Sequence, residues 1–270
     1  MKDIYDAIPP HCFKPSISRG LAYVVRDYFY LVVLIHTTHR YTPLIPSAHL
    51  RAVIYGLCTI LEGMIMTGIW ILAHECGHGA FSKSKRLNDS LGFFLHSTLL
   101  VPYFSWKITH SHHHKSTGDL QRDTVFVPYE KAEWIKNKLG REPHQLTIED
   151  VSEDAPVVLL IHCVLVQLFG WPLYMLDNLS GQKGQHGFPF YSHYWFGKSS
   201  GIFKPSELHL IFISDIGILL TTALLYLGVN TFGWWEMLIF YGVPYLWLNH
   251  WIGLSEPCLT RNNWLTMRKY

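Results

Sequence analysis

Residues 52–73, AVIYGLCTILEGMIMTGIWILA, leave this chain few choices of fold. A helix rises ~1.5 Å per residue, so this run covers the ~30 Å hydrocarbon core of a bilayer, and only a helix satisfies its backbone there. Glu62 is its single charge and is expected to face protein rather than lipid. The run ends on HECGH, so whatever those histidines do is done where a membrane helix meets water.

The rest of the chain fits a lipid setting. Charged residues make up 16% and hydrophobic residues 49% of the 270 residues, against roughly 25% charged in soluble domains. The net charge of +2 argues against a nucleic-acid surface. Residues 208–228 and 234–252 predict a second pair of spans, with Trp234, Trp235, Trp247 and Trp251 near the ends of the last one, as interfacial aromatics are placed. Residues 21–36, interrupted by Arg26 and Asp27, are expected to partner 52–73. The apolar stretches 91–104 and 157–176 read as interfacial or re-entrant helices. The expected fold class is an all-α integral membrane protein with about four transmembrane helices, interfacial helices and a cytosolic helical cap. Lysines and arginines between Ser105 and Asp154, with the turn SKSKR at 82–86, place that region on the cytosolic side. The N-terminus, with acids and prolines, lacks the apolar core of a signal peptide. The five cysteines are scattered, and no C-x-x-C pair suggests a zinc ribbon.

Chemistry is concentrated in the histidines. His74 and His78 are four apart, so on a continued helix both imidazoles project from one face. Gly77 and Gly79 keep the backbone slim beside the second of them. Further on, His110-x-x-His113-His114 sets three imidazoles around one side of a helix, with His112 pointing elsewhere. HECGH also matches H-E-x-x-H, in which two histidines hold zinc and the glutamate activates water. An intramembrane zinc protease is therefore a rival, but it has no use for the second cluster. Five imidazoles exceed the needs of one tetrahedral zinc, and imidazole suits iron and copper as well. Histidine-rich ligation beside lipid points to a pair of irons that activates oxygen. If both clusters serve one site, they share a membrane face, and 91–104 cannot cross the bilayer.

HECGHGAFS at 74–82, the stretch 95–110, H-x-x-H-H at 110–114 and STGDLQRDTVFVP at 116–128 together resemble the membrane fatty acid desaturases, more narrowly the microsomal delta-12/omega-3 type. The resemblance runs from about Asp3 to Trp251. It implies His74, His78, His110, His113 and His114 as iron ligands, with His96 and Asp123 as orienting or packing residues. It implies an endoplasmic reticulum enzyme that takes electrons from cytochrome b5 and its NADH-dependent reductase. With molecular oxygen it would remove two hydrogens from a lipid-linked acyl chain, oleoyl going to linoleoyl. A related acyl hydroxylase, acetylenase or epoxygenase would share these boxes. Domain boundaries on this reading are a cytosolic segment 1–20, an incomplete desaturase domain 21–252 and a divergent tail 253–270. The family's third histidine box is expected after the last spans, yet His250 is the last histidine here. The reading therefore expects a shortened form without full activity, or a non-catalytic membrane subunit that forms homo- or hetero-oligomers with a full-length desaturase. His186, His193 and His209 lie outside any box spacing and read as loop or interface residues.

Overall fold

The computed structural model describes residues 6–119, 121–123, 125, 127, 156–178, 192–198 and 200–255. The basic stretch beyond Val127, His186 and the tail after Ser255 lie outside the described residues. The described residues form helices and no strands: α1 Ile17–Tyr41, α2 Ala48–His78, α3 Lys85–Ser97, α4 Tyr103–Ser116, α5 Pro156–Asp177, α6 Leu208–Phe232, α7 Trp234–Met237 and α8 Val243–Ser255. A π-helical turn, Leu238–Gly242, links the last two. Pro244 comes two residues after it; proline brings no N–H to the helical ladder, and the wider turn precedes it. The chain divides into two units, residues 1–107 with 209–245, and residues 108–208 with 246–270.

In the first unit α2 is the central element. Ser47 caps its start by accepting a hydrogen bond from the Leu50 N–H at 3.3 Å. Its end falls at Gly79, whose φ of 74° is the left-handed conformation that glycine adopts without penalty. Two bonds close this end, from Gly79 N–H to the Cys76 carbonyl and from Ala80 N–H to the Glu75 carbonyl. Cys58, Glu62, Met66, Ile69, Ala73 and Cys76 form its buried stripe at three- and four-residue spacing. Glu62 is fully buried, as its position in an apolar span requires, and accepts a hydrogen bond from the Cys58 thiol. The opposite face exposes Leu57, Leu61, Met64 and Ile71, an apolar surface suited to lipid rather than water.

Among the described residues, α2 and α6 are the two helices long and apolar enough to cross a membrane. α6 likewise exposes Leu219, Leu220, Leu224 and Leu227. The stretch 21–36 lies within the helix α1, where Arg26 and Asp27 pair at 2.7 Å. The stretch 91–104 is not one helix. It breaks after Ser97, passes through Leu100 at a φ of 55°, and restarts at Tyr103. Two hydrogen bonds to the His96 carbonyl, from Leu99 and Val101, hold this turn. Neither α3 nor α4, 13 and 14 residues long, matches the ~20 residues a span needs. α6 packs on the turn: Ser214 Oγ accepts the Phe104 N–H at 2.9 Å, and a Cβ on Gly217 would collide with Ser97 and Phe93.

The second unit holds the later turns of α4, the helix α5, the segment 192–208 and the later part of α8. The stretch 157–176 is one helix there, with Pro172 inside it. Asn249 of α8 donates to the Leu168 carbonyl, and Gly253 meets α5 closely at Gln167.

Candidate metal centre

In the first unit, the last turn of α2 presents His74 and His78 with their Nε2 atoms 3.2 Å apart. His74 is half-buried because aromatic side chains wall it in. The Trp70 ring stacks on it at 5.4 Å, and the Trp106 ring lies against it at 5.4 Å. Trp106 approaches this closely because residue 77 is glycine; a Cβ there would fall 2.7 Å from the indole. On its other flank His74 Nδ1 lies 3.0 Å from Glu75 Oε1.

His96 is fully buried behind this layer, edge-on to Trp106 at 4.7 Å and close to Trp70 and Tyr103. Burial pushes its pKa down to about 3, against a smaller raising influence of the Trp70 backbone. It is a neutral core histidine that supports the tryptophans. Asp89 pairs with Lys85 at 2.7 Å and with Lys107. Burial favours its neutral form, but the hydrogen bonds and charges of the two lysines outweigh this and hold its pKa below the ordinary value.

In the second unit, α4 presents His110 and His114 with their Nε2 atoms 3.0 Å apart. His113 turns to Asp123: its Nδ1 lies 2.8 and 3.0 Å from the two carboxylate oxygens. Asp123 is buried and also accepts the Val125 N–H. A carboxylate only accepts, so the proton of this bond is on His113 Nδ1, and Nε2 keeps the lone pair of the neutral ring. His112 is set about 200° round the helix from His110. Thr109, on the buried side of α4, is within hydrogen-bond reach of Tyr174 Oη at 3.2 Å and His193 Nε2 at 3.3 Å. His193 lies in a turn and is fully buried, and burial lowers its pKa to about 3.

The separations within the two pairs match a shared metal. Two imidazole nitrogens about 2.1 Å from one ion, subtending roughly 90–110°, lie about 3.0–3.4 Å apart. Each i, i+4 pair is thus spaced to grip one ion, and in the metal-free chain the same spacing suits an N–H···N hydrogen bond. Both helices repeat one pattern, W-x-x-x-H-x-x-x-H: Trp70, His74, His78 and Trp106, His110, His114. That repeat is the sequence signal for the two tryptophans, which a search for histidines alone passes over.

Residues 50–266 match the sequence profile of the fatty acid desaturase family. The oleate hydroxylase of Claviceps purpurea is 42% identical over 93% of this chain and 55% of its own length. The delta(12) fatty acid desaturase of Mortierella alpina is 38% identical over 94% of this chain and 63% of its own. The endoplasmic reticulum omega-6 fatty acid desaturase of Brassica juncea is 38% identical over 92% of this chain and 60% of its own. The chain thus spans little more than half the length of these curated relatives. With two histidine pairs spaced for metal, on helices that match the profile almost throughout, the chain belongs to the fatty acid desaturase family.

Proposed function

We propose that this chain carries part of an iron centre that oxidises the acyl chain of a membrane lipid, removing two hydrogens to make a double bond. The observation that carries the proposal is the bite of the two pairs, 3.2 Å and 3.0 Å between Nε2 atoms. The proposed metal set is His74, His78, His110 and His114, with His113 as a fifth ligand oriented by Asp123. A common centre is proposed because both pairs carry the same W-x-x-x-H-x-x-x-H pattern.

Iron, when bound, supplies the one-electron chemistry that lets oxygen attack an unactivated C–H bond. In balance, the acyl chain loses two hydrogens and O2 becomes two waters, with two electrons and two protons supplied from outside. The chain's own residues do the rest. Trp70, Trp106 and His96 wall off one side of His74 and exclude water from it. Asp123 holds the His113 proton on Nδ1. The apolar outer faces of α2 and α6 suit these helices to lipid, with the histidine pair at the end of α2.

The same reading proposes an endoplasmic reticulum protein with four spans, α1, α2, α6 and α7–α8, and with the histidines on the cytosolic side. Cytochrome b5 and its reductase would deliver the electrons, and oligomers with other desaturases would follow. A second reading, acyl hydroxylation, is favoured by the 42% identity to an oleate hydroxylase. Expression in a host without either activity, followed by mass spectrometry of the fatty acids, tests both. A new diene supports desaturation and a new hydroxyl group supports hydroxylation. A chain that takes up zinc but no iron, or no metal at all, would defeat the iron reading.

A further inference from the structure

The structure assigns a role to Glu75, the glutamate of the H-E-x-x-H match: it is a positioning residue that fixes the ring of His74, not a base that activates water. The inference rests on the proposed metal centre and adds a residue to it. Glu75 folds back on its neighbour, so that Oε1 lies 3.0 Å from His74 Nδ1. A carboxylate offers no proton, so the bond requires N–H at Nδ1, which leaves Nε2 as the donor atom of the neutral ring. Nε2 is also the atom turned to His78, 3.2 Å away. The hydrogen bond therefore selects the tautomer whose lone pair points to the place where the pair would grip a metal.

Three contacts over-determine the ring: Trp70 stacked on it, Trp106 beside it, and Glu75 on the remote nitrogen. The second helix uses the same device, with Asp123 on His113 Nδ1. The two carboxylates stand at different distances in sequence, one residue after its histidine and ten residues after, yet each meets the Nδ1 atom of its ring. A ligating histidine whose other nitrogen is held by a carboxylate is stiffer and more basic, and losing such a partner costs about 10–100-fold in metal affinity.

The test is a titration of the purified chain in detergent with ferrous iron alone, under nitrogen, read by competition with a chromophoric chelator. Glu75→Leu removes the acceptor; Glu75→Gln keeps an amide oxygen of the same reach. The Glu75 side chain is 45% exposed, so neither change is expected to unfold α2, and helicity and thermal unfolding of the metal-free variants check this. The expected result is a 10–100-fold weaker iron affinity for Glu75→Leu and a return to within about 3-fold for Glu75→Gln. Unchanged affinity in Glu75→Leu, or Glu75→Gln as weak as Glu75→Leu, would overturn the role of Glu75 while leaving the metal centre standing. Failure of the unsubstituted chain to bind iron would bring down the centre itself, and this inference with it.

Discussion

Replacing Gly77 by alanine should loosen the wall around His74, and the same change at Gly56 supplies the control. Both glycines lie within α2. At either site alanine gains about 0.5–1 kcal/mol in helix preference over glycine. At Gly56 a Cβ meets nothing within 4 Å, so that gain stands alone. At Gly77 the Cβ would lie 2.7 Å from Trp106 Cζ3 and 3.1 Å from Cη2. Trp106 is 2% exposed and is packed against His74 and His96, so it has nowhere to swing. Forcing one carbon into such a contact costs about 1–3 kcal/mol. The two variants should therefore differ by about 1–3 kcal/mol, which at roughly 2–4 °C per kcal/mol separates their melting temperatures by about 2–12 °C. Thermal unfolding in detergent, followed by tryptophan emission, measures the split. Iron affinity should fall with Gly77→Ala and hold with Gly56→Ala. Equal melting temperatures and equal iron affinity in the two variants would refute the close packing of Trp106 on the first histidine pair.

Three other outcomes are expected. Asp123→Leu should weaken iron binding about 10–100-fold, with Asp123→Asn intermediate, in the same chelator competition. His113→Ala should lower the iron content of the purified chain far more than His112→Ala; equal losses would undo the assignment of the two faces of α4. His193 and His96 have pKa values near 3 in the fold, below the ~6.5 of an unfolded histidine. Their contribution to stability is full above about pH 6.5 and is lost as pH falls from there toward about 3, by roughly 1.4 kcal/mol per histidine per pH unit. His193→Gln should flatten that acid dependence by one proton, as measured by denaturation at about pH 7 and pH 5.

Some of this was legible in the sequence because single helices announce themselves. The run 52–73 and the histidines that end it form one helix with one buried stripe, so the spacing of His74 and His78 translated directly into a paired face. Glu62 had to be buried because lipid offers a carboxyl nothing. Other features depended on tertiary packing. In the break within 91–104, Pro102 is the local signal that a helix cannot run straight through, but nothing local marks Leu100 for its positive φ. The run 234–252 reads as one apolar helix, and only the position of Pro244 hints at the π-helical turn within it. His193 does lie in a turn, but nothing local shows that Tyr174 and Thr109 close over it. The roles of Glu75 and Asp123 could not be read from spacing, because a hydrogen bond to a remote ring nitrogen follows from side-chain direction and not from residue count.

X-ray absorption at the iron edge of the purified, iron-loaded chain tests the central claim most directly. Iron held by the two pairs predicts a first shell of nitrogen and oxygen near 2.1 Å, with the outer-shell scattering of at least four imidazoles and no sulfur. That imidazole signal should fall by about half when His110 and His114 are both replaced by alanine. Iron bound without an imidazole signature, or a spectrum unchanged by loss of the second pair, would contradict a centre built from both helices.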